Sequence, residues 1–361
     1  MSKFTSRIKV MSKNVVVIGG GVSGMAAAGK LREFGYNVVL IEKKAEVGGH
    51  VKNWYKVFPD FTDASEIISN LKGNLQGIKV LTNTTVTQIS GSAPNFKVIT
   101  SNGEEIEAAA ILVATGFQPF DASLKEEYGY GIYDNSITSI ELDAMLKHQT
   151  VKTSKGQIPK KIALIHCVGS RDEKVNNNYC SRVCCTNTIK LAIEVKQQIP
   201  DAEIYCLYMD IRVFGRGYEE LYRTSQEKYG VQFIRGRLSE ANEKNDGTLL
   251  LRVEDTLTAR PMRLTVDLLA LMVGMCGNSE LSEVANLKVG IDRFYETANM
   301  QYSNNSSHRK GIFLAGTATG PKAIVESITD GRSAASEMAA FLVNTEANSS
   351  LNGQLVSTIS V

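Results

Sequence analysis

Three things are scarce in this sequence of 361 residues. Net charge is nearly absent: 40 lysines and arginines face 38 aspartates and glutamates, a formal balance of +2. A chain so balanced presents no broad field to a polyanion, which argues against a nucleic-acid binder. Long apolar runs are absent as well. The longest, 108–114 and 268–273, have strand length and fall far short of the roughly 20 residues of a membrane span. The opening ten residues, MSKFTSRIKV, are basic without an apolar core, so no secretory signal is read there and a cytoplasmic location is expected. MSK recurs at Met11, which marks residues 1–10 as an N-terminal extension. Histidine is the third shortage: His50, His148, His166 and His308 stand apart, which excludes a histidine-rich metal site. No Ser/His/Asp or paired-carboxylate arrangement stands out either. What remains is an ordinary globular mixture, 43% apolar and 22% charged, long enough for two or three domains.

The first element present is a βαβ unit. Asn14 to Ile18 (NVVVI) is a short β-branched run, the pattern of a parallel strand buried on both faces. Gly19, Gly21 and Gly24 follow in G-x-G-x-x-G spacing, then a helix from Val22 to Phe34 with Gly35 as its C-cap, then a second strand, Asn37 to Ile41. Glu42 closes that strand, 18 positions beyond the third glycine. In a dinucleotide-binding unit Gly19 permits the tight turn, Gly21 lets the backbone approach a pyrophosphate, and Gly24 lets helix and strand pack closely. The helix N-terminus supplies free N–H groups for the phosphates, and Glu42 is placed to accept from ribose hydroxyls. The bland alternative is a bare βαβ unit whose glycines serve packing alone.

Gly48 and Gly49 follow Glu42 closely, in E-K-K-A-E-V-G-G. With Ile111–Gly116 (ILVATG, then Phe117-Gln118-Pro119) and Gly311–Gly316 (GIFLAG), this loop resembles the FAD half of the two-dinucleotide-domain flavoproteins of thioredoxin-reductase type. The resemblance implies an α/β fold with a Rossmann-type FAD domain and an inserted second α/β domain. It also implies FAD contacts at Gly48, Gly49, Val86, Ala114, Thr115, Gly116, Gly316, Thr317, Pro321 and Lys322. The closing helix is expected from about Pro321 to Leu342, its positive end facing the flavin's pyrimidine edge. That family has an aspartate directly after the A-G; Thr317 stands there instead.

A second start follows at Lys161, with strands expected at 162–165, 202–208, 231–235, 249–253 and 264–274. After the first of these the chain reads H-C-V-G-S-R-D-E, His166 to Glu173, where the flavoprotein relatives carry a second glycine-rich loop. No G-x-G-x-x-G is present, so no NAD(P) site is expected. The organisation read from the sequence is an FAD domain split over 11–150 and 281–344, an inserted domain over 151–280, and a flexible Ser/Asn-rich tail over 345–361.

Four of the six cysteines, Cys167, Cys180, Cys184 and Cys185, lie within nineteen positions. With all of the last three placed at the start of a helix, Cys180 and Cys184 stand about 40° apart and Cys185 about 100° further round. A helix N-terminus favours thiolate over thiol, as metal ligation requires. A [4Fe–4S] cluster, a structural zinc, and buried packing or redox-active thiols all remain open, although adjacent Cys184-Cys185 suits zinc knuckles poorly. Cys206, within a strand, and the isolated Cys276 read as structural.

The segment CVGSRDEKVNNNYCSRVCCTNTIKLA, Cys167 to Ala192, together with GPKAI at Gly320–Ile324, resembles the A-type subunits of heterodisulfide reductases. That resemblance implies one [4Fe–4S] cluster on Cys167, Cys180, Cys184 and Cys185, near FAD. It implies Lys190 as a candidate hydrogen-bond donor to flavin N5, with Lys322 as a second catalytic candidate, where the alternative for Lys190 is a solvated helix lysine. The short form is similar to the soluble A-type subunits of sulfur-oxidising prokaryotes. It implies an oxidoreductase that transfers electrons in cytoplasmic sulfur oxidation, together with B- and C-type subunits, with a lipoate-binding protein and with a homodimeric partner copy. Three competitors are weighed against it. An NAD(P)H-dependent disulfide reductase needs a redox cysteine pair beside the flavin, whereas His50-Val51-Lys52-Asn53-Trp54 follows Gly49. The others are an FAD-only oxidase and a scaffold with a dead cofactor site.

Overall fold

The computed structural model describes residues 14–358. The N-terminal extension therefore lies outside the described residues. Six α-helices are described: α1 (Val22–Glu33), α2 (Ala64–Gly73), α3 (Ser139–Lys147), α4 (Cys184–Gln198), α5 (Tyr218–Glu227) and α6 (Ile324–Thr358). The chain divides into two compact units. One comprises residues up to Gly49, Ile68–Phe117 and Gly277 onward; the other comprises His50–Ile67 and Gln118–Cys276.

The first unit is built on a seven-stranded sheet. Its spatial order is Thr297–Asn299, Ser303–Ser307, Ile312–Leu314, Ala110–Val113, Asn14–Ile18, Asn37–Ile41 and Lys79–Leu81. The last five are mutually parallel, with Val15–Ile18 in register with Ala110–Val113 on one side and Val38–Ile41 on the other. Val15–Val17 and Ala110–Val113 are wholly buried, which is why these strands read as unbroken apolar runs rather than alternating ones. An antiparallel meander, Val86–Ser92, Asn95–Thr100 and Glu105–Ala108, shares a core with Val16 and Ile18 through Ile89, Phe96, Val98 and Ile106. Helices α1 and α6 pack so closely that a Cβ on Gly331 would stand 2.3 Å from Ser23 O.

The second unit has its own seven-stranded sheet, ordered Arg260–Val266, Leu249–Asp255, Gln232–Glu243, Glu203–Tyr208, Lys161–Val168, Leu268–Val273 and Ser136–Thr138. Ile162–Ile165 pairs in parallel with Ile204–Leu207 and with Leu268–Leu271. The register slips between Ile165 and Val168, and Cys167, inside that slip, has φ +60°.

Several expectations are corrected here. The boundary expected at 150 falls at 117, because Ser136–Thr138 hydrogen-bonds alongside Leu269–Leu271 and α3 buries Leu142 and Leu146 in the second core. Residues 50–67 join that unit too: Phe58 and Phe61 pack against Ile189 and Ile193. The strand expected over 264–274 is two strands parted at Asp267, whose carboxylate accepts from the Lys160 and Lys161 amides. The closing helix begins at Ile324, after a 3-10 turn over Gly316–Thr319, and Glu326 caps it by accepting from Ala323 N at 2.8 Å. Pro321 thus precedes the helix instead of opening it. Beyond Leu342 the helix runs on to Thr358, through the segment expected to be a flexible tail.

Candidate functional site

The first unit carries a cradle at the N-terminus of α1, and each fingerprint glycine has a different reason to lack a side chain. Gly19 has φ +109°, and a Cβ there would lie 2.3 Å from Ala114 O. A Cβ on Gly24 would meet Gly19 O at 1.8 Å, so this glycine sets the helix-to-strand approach. A Cβ on Gly21, at the helix N-cap, would meet nothing within 4 Å. Packing alone does not require Gly21; open space over the first free N–H groups is what a pyrophosphate needs.

The second glycine pair folds onto the first. Gly48 N donates to Gly20 O at 2.8 Å, and a Cβ on Gly49 would touch Gly21 Cα at 3.1 Å. Glu42, buried, locks this arrangement by accepting from Gly20 N at 2.7 Å and from Lys44 N at 2.8 Å. Each carboxylate oxygen retains acceptor capacity for a ribose hydroxyl. Ala114 N donates to Ile18 O, and Thr115 O accepts from Asn278 Nδ2 at 3.3 Å. Gly116 (φ +76°) comes close to Thr317, whose Oγ1 would lie 3.7 Å from an added Cβ. Ser23 Oγ is buried without a hydrogen-bond partner, wedged where Gly316 and Gly331 approach. Val86 is not part of the cradle's lining; its side chain lies in the core beside Ile89 and Phe96.

An aspartate that sequence reading missed serves the Gly316 loop. Asp330 on α6 accepts from Gly316 N at 2.7 Å through Oδ2 and from Asn305 Nδ2 at 2.8 Å through Oδ1. Its sequence signal is slight, a carboxylate directly before Gly331 on a helix that also carries Glu326 and Glu337. Lys322 Nζ donates to Gly316 O at 2.9 Å and Thr319 Oγ1 at 2.6 Å, and stands 3.5 Å from Asp330. It braces the loop rather than extending toward a ligand.

The four cysteines lie in the second unit, Cys167 on the strand Lys161–Val168 and the others between its end and the first turn of α4. Cys167 Sγ and Cys184 Sγ are 3.5 Å apart, and Cys185 Sγ donates to Asp210 O at 3.5 Å. The Cys184 contact holds the Cys167 thiol below its ordinary range and pushes the buried Cys184 thiol well above it. Cys185 is pulled down to about 4, first by Cys184 and then by the imidazole of His166. Arg171 lies close enough to Cys167 to favour its thiolate. Cys180 sits in the loop before α4, not on the helix as expected, because Arg182 takes φ +59° and the helix begins only at Cys184; Arg182 N donates to Cys180 Sγ at 3.3 Å. Cys167, Arg171, Asn176 and Arg182 all hold positive φ, a concentration of backbone strain suited to a functional loop. The loop ties itself down through Arg171 N to Tyr179 O and paired bonds between Asp172 and Asn177.

His166 is 6% exposed; neither ring nitrogen is within geometric hydrogen-bond reach of a partner, and its imidazole lies beside the Cys185 thiol. Of the four thiols, Cys167 and Cys184 stand in contact, and four sulfur donors are the chemistry that a cluster takes. Among the described residues no three His, Cys, Asp or Glu side chains converge as ligands of one metal ion would. Burial pushes the Cys206 thiol up within its strand, as a structural cysteine. Cys276 Sγ lies 3.6 Å from Asn177 Nδ2.

Lys190 is neither solvated nor available. It is 1% exposed, and Nζ meets Asp143 Oδ1 at 2.6 Å, Lys56 O at 2.9 Å and Glu194 Oε2 at 3.0 Å. Of the ammonium's three N–H donors, two are taken by Asp143 and the Lys56 carbonyl, and the charge is paired with the Glu194 carboxylate. Desolvation raises Glu194 to about 7. Asp143 also accepts from Tyr55 N, so this buried ion cluster anchors residues 50–67 to α3 and α4.

Residues 3–158 match the family of pyridine nucleotide-disulphide oxidoreductases. The chain is similar to an iron-sulfur A-type subunit of the CoB–CoM heterodisulfide reductase of Methanopyrus kandleri, at 33% identity over 92% of this chain and 64% of that protein. It is also similar to the A-type subunit of the H2:CoB–CoM heterodisulfide,ferredoxin reductase of Methanothermobacter thermautotrophicus, at 32% identity over 94% of the chain and 65% of the relative. The chain thus spans just under two thirds of the length of these relatives. Among solved structures, thioredoxin reductase of Lactococcus lactis matches with TM-score 0.66 at 17% identity, over 92% of this chain and all of that one. Thioredoxin reductase of T. acidophilum matches with TM-score 0.65 at 17% identity, over 91% and 99%. These two establish the thioredoxin-reductase-like α/β fold.

Proposed function

The chain belongs to the family of heterodisulfide reductase A-type subunits, and from that premise we propose that it transfers electrons, holding FAD in its first unit and one [4Fe–4S] cluster in its second. The observation that carries the reading is the exchange of a nucleotide loop for cysteines. In the first unit the strand Asn14–Ile18 leads into an open glycine cradle. In the second, Lys161–Val168 carries Cys167, whose Sγ meets that of Cys184, and leads into Gly169, where a Cβ would fall 1.9 Å from the Phe120 ring. Gly169 serves packing where Gly21 serves a ligand. This favours a redox centre over an NAD(P) site, and so disfavours a self-sufficient NAD(P)H-dependent disulfide reductase.

The flavin would exchange electrons in pairs and the cluster singly. Toward the first, the chain offers the α1 N-terminus for the pyrophosphate, Glu42 for the ribose, Ala114–Gly116 beside the Gly316–Thr317 turn, and the positive end of α6 for the pyrimidine edge. Lys322 and Asp330 hold that turn in place. Toward the second, Cys167, Cys180, Cys184 and Cys185 would ligate, Arg171 would stabilise the thiolates, and His166 would face the ligated sulfurs. The relatives' names assign them to a multi-subunit reductase of a heterodisulfide. For this chain we propose partners of the B and C type, a lipoate-binding protein and a homodimeric arrangement, with cytoplasmic sulfur oxidation as the setting.

Anaerobic purification followed by a visible spectrum and assays of iron, sulfide and released flavin tests this. Flavin bands over a broad absorbance near 400 nm, with about four irons per flavin, are expected. A flavin spectrum with no iron or sulfide even after reconstitution overturns the cluster and returns the reading to an FAD-only oxidase. Disulfide turnover with NAD(P)H by the chain alone overturns the electron-transfer role.

A further inference from the structure

The rim of the cysteine site carries more positive charge than its surroundings neutralise. The strand Glu203–Tyr208 ends in a loop whose Asp210 O accepts from Cys185 Sγ, so this loop borders the thiols. The Asp210 carboxylate is taken by Arg171 Nη2 at 2.6 Å; Arg212 and Arg235 reach it only at 3.8 and 4.0 Å. Arg237 joins them by donating to Arg171 O at 3.0 Å, and the Arg182 guanidinium lies 5.4 Å from the centre of the Phe214 ring. The next acid along, Asp172, is held by Lys125 at 2.8 Å. Three guanidiniums therefore share the Asp210 carboxylate, with Arg237 on the Arg171 carbonyl and Arg182 over Phe214 beside them, on a chain whose whole formal charge is +2. The side chains of Arg212 and Arg235 are 44% and 48% exposed, and Phe214, in their midst, is 57% exposed.

Folding stability does not account for this. Exposed pairs at such separations contribute little, and repulsion among like charges opposes compactness. Arginine beside an exposed aromatic ring is instead the composition that protein interfaces favour. We infer that this arginine face is the docking surface for an acidic protein partner, one that presents carboxylates around its own redox centre and is steered to the cysteine site by charge. The inference rests on the reading of the cysteines as a redox centre.

The test uses the full chain purified anaerobically with its cofactors, and a plant-type [2Fe–2S] ferredoxin as an acidic redox probe, titrated by calorimetry at low and high salt. Wild-type binding should weaken by roughly tenfold or more as salt rises. Arg212→Glu/Arg235→Glu should weaken it by roughly tenfold or more at low salt. Lys152→Glu/Lys160→Glu, the same charge change with Lys160 before the opposite end of the strand Lys161–Val168, should leave it within about twofold. If the double glutamate variant does not fold, Arg212→Gln/Arg235→Gln replaces it, with the same direction expected. Absence of wild-type binding, insensitivity to salt, equal loss in both double variants, or displacement by millimolar inorganic phosphate at constant ionic strength would each overturn the inference, the last by showing a small-anion site. Iron, sulfide and flavin are assayed on the same samples. Arginine-dependent binding by protein without iron sinks the redox reading and keeps the surface; full cofactor content without arginine-dependent binding sinks the surface alone.

Discussion

Gly21 and Gly24 lie three residues apart and carry opposite predictions. An alanine at Gly24 drives its methyl into Gly19 O, 1.8 Å away, and should cost about 3 kcal/mol or more of stability. An alanine at Gly21 finds nothing within 4 Å, and should cost about 1 kcal/mol or less while weakening flavin retention at least about tenfold. Thermal melts and flavin released on dilution separate the two; a Gly21→Ala protein that keeps its flavin would remove the pyrophosphate from that space. Glu194 gives the pH-dependent case. Its folded pKa of about 7 lies above its ordinary value of 4.5 because it is buried. Its contribution to stability is therefore fully present below about pH 4.5 and lost as pH rises through about 7. Relative to Glu194→Gln, wild type should lose on the order of 3 kcal/mol between pH 4.5 and 8 in urea titrations. Parallel pH profiles would show that Lys190 keeps the carboxylate ionised throughout.

At the scale of elements, α1 and α6 are the pair on which the cradle depends. They lie far apart in sequence, yet Gly331 meets Ser23 O and Asp330 orders Gly316 N from the same turn of α6. Gly331→Ala should part the helices at a cost of about 1–3 kcal/mol and loosen flavin, although residue 331 itself faces protein. Retention of both Tm and flavin content would show that the helices separate without moving the Gly316 turn. Helix α4 shows the limits of reading periodicity. Cys180, Cys184 and Cys185 look like one helical face, but the left-handed residue Arg182 delays the helix to Cys184 and leaves Cys180 on the loop.

For the whole molecule, the two proposed cofactor sites draw on different parts of the chain. The glycine cradle uses residues 19–49, 114–116 and 316–330, all in the first unit, and the thiols use 167–185, all in the second. Cys184→Ala should therefore lose iron and sulfide while retaining near-stoichiometric flavin, and Gly21→Ala should do the reverse. Assays of iron and released flavin on both variants check this; loss of both cofactors in either one would show the units to be interdependent.

The sequence by itself determined what depends on neighbours along the chain. The βαβ unit, its three glycines and the four clustered cysteines are legible because turn geometry, strand burial on both faces and thiol spacing are local properties. Tertiary structure alone decided what depends on distant partners. Lys190 reads as an open helix lysine until Asp143 and Lys56 O are brought to it from two distant segments, beside Glu194 one turn along its own helix. Residues 50–67 continue the flavin half in sequence yet bury Phe58 and Phe61 against α4. Asp330 supplies a carboxylate to the turn where position 317 lacks one. In each case the deciding term is desolvation: a buried charge or ring takes whatever partner the fold carries to it, and no spacing along the chain encodes that partner.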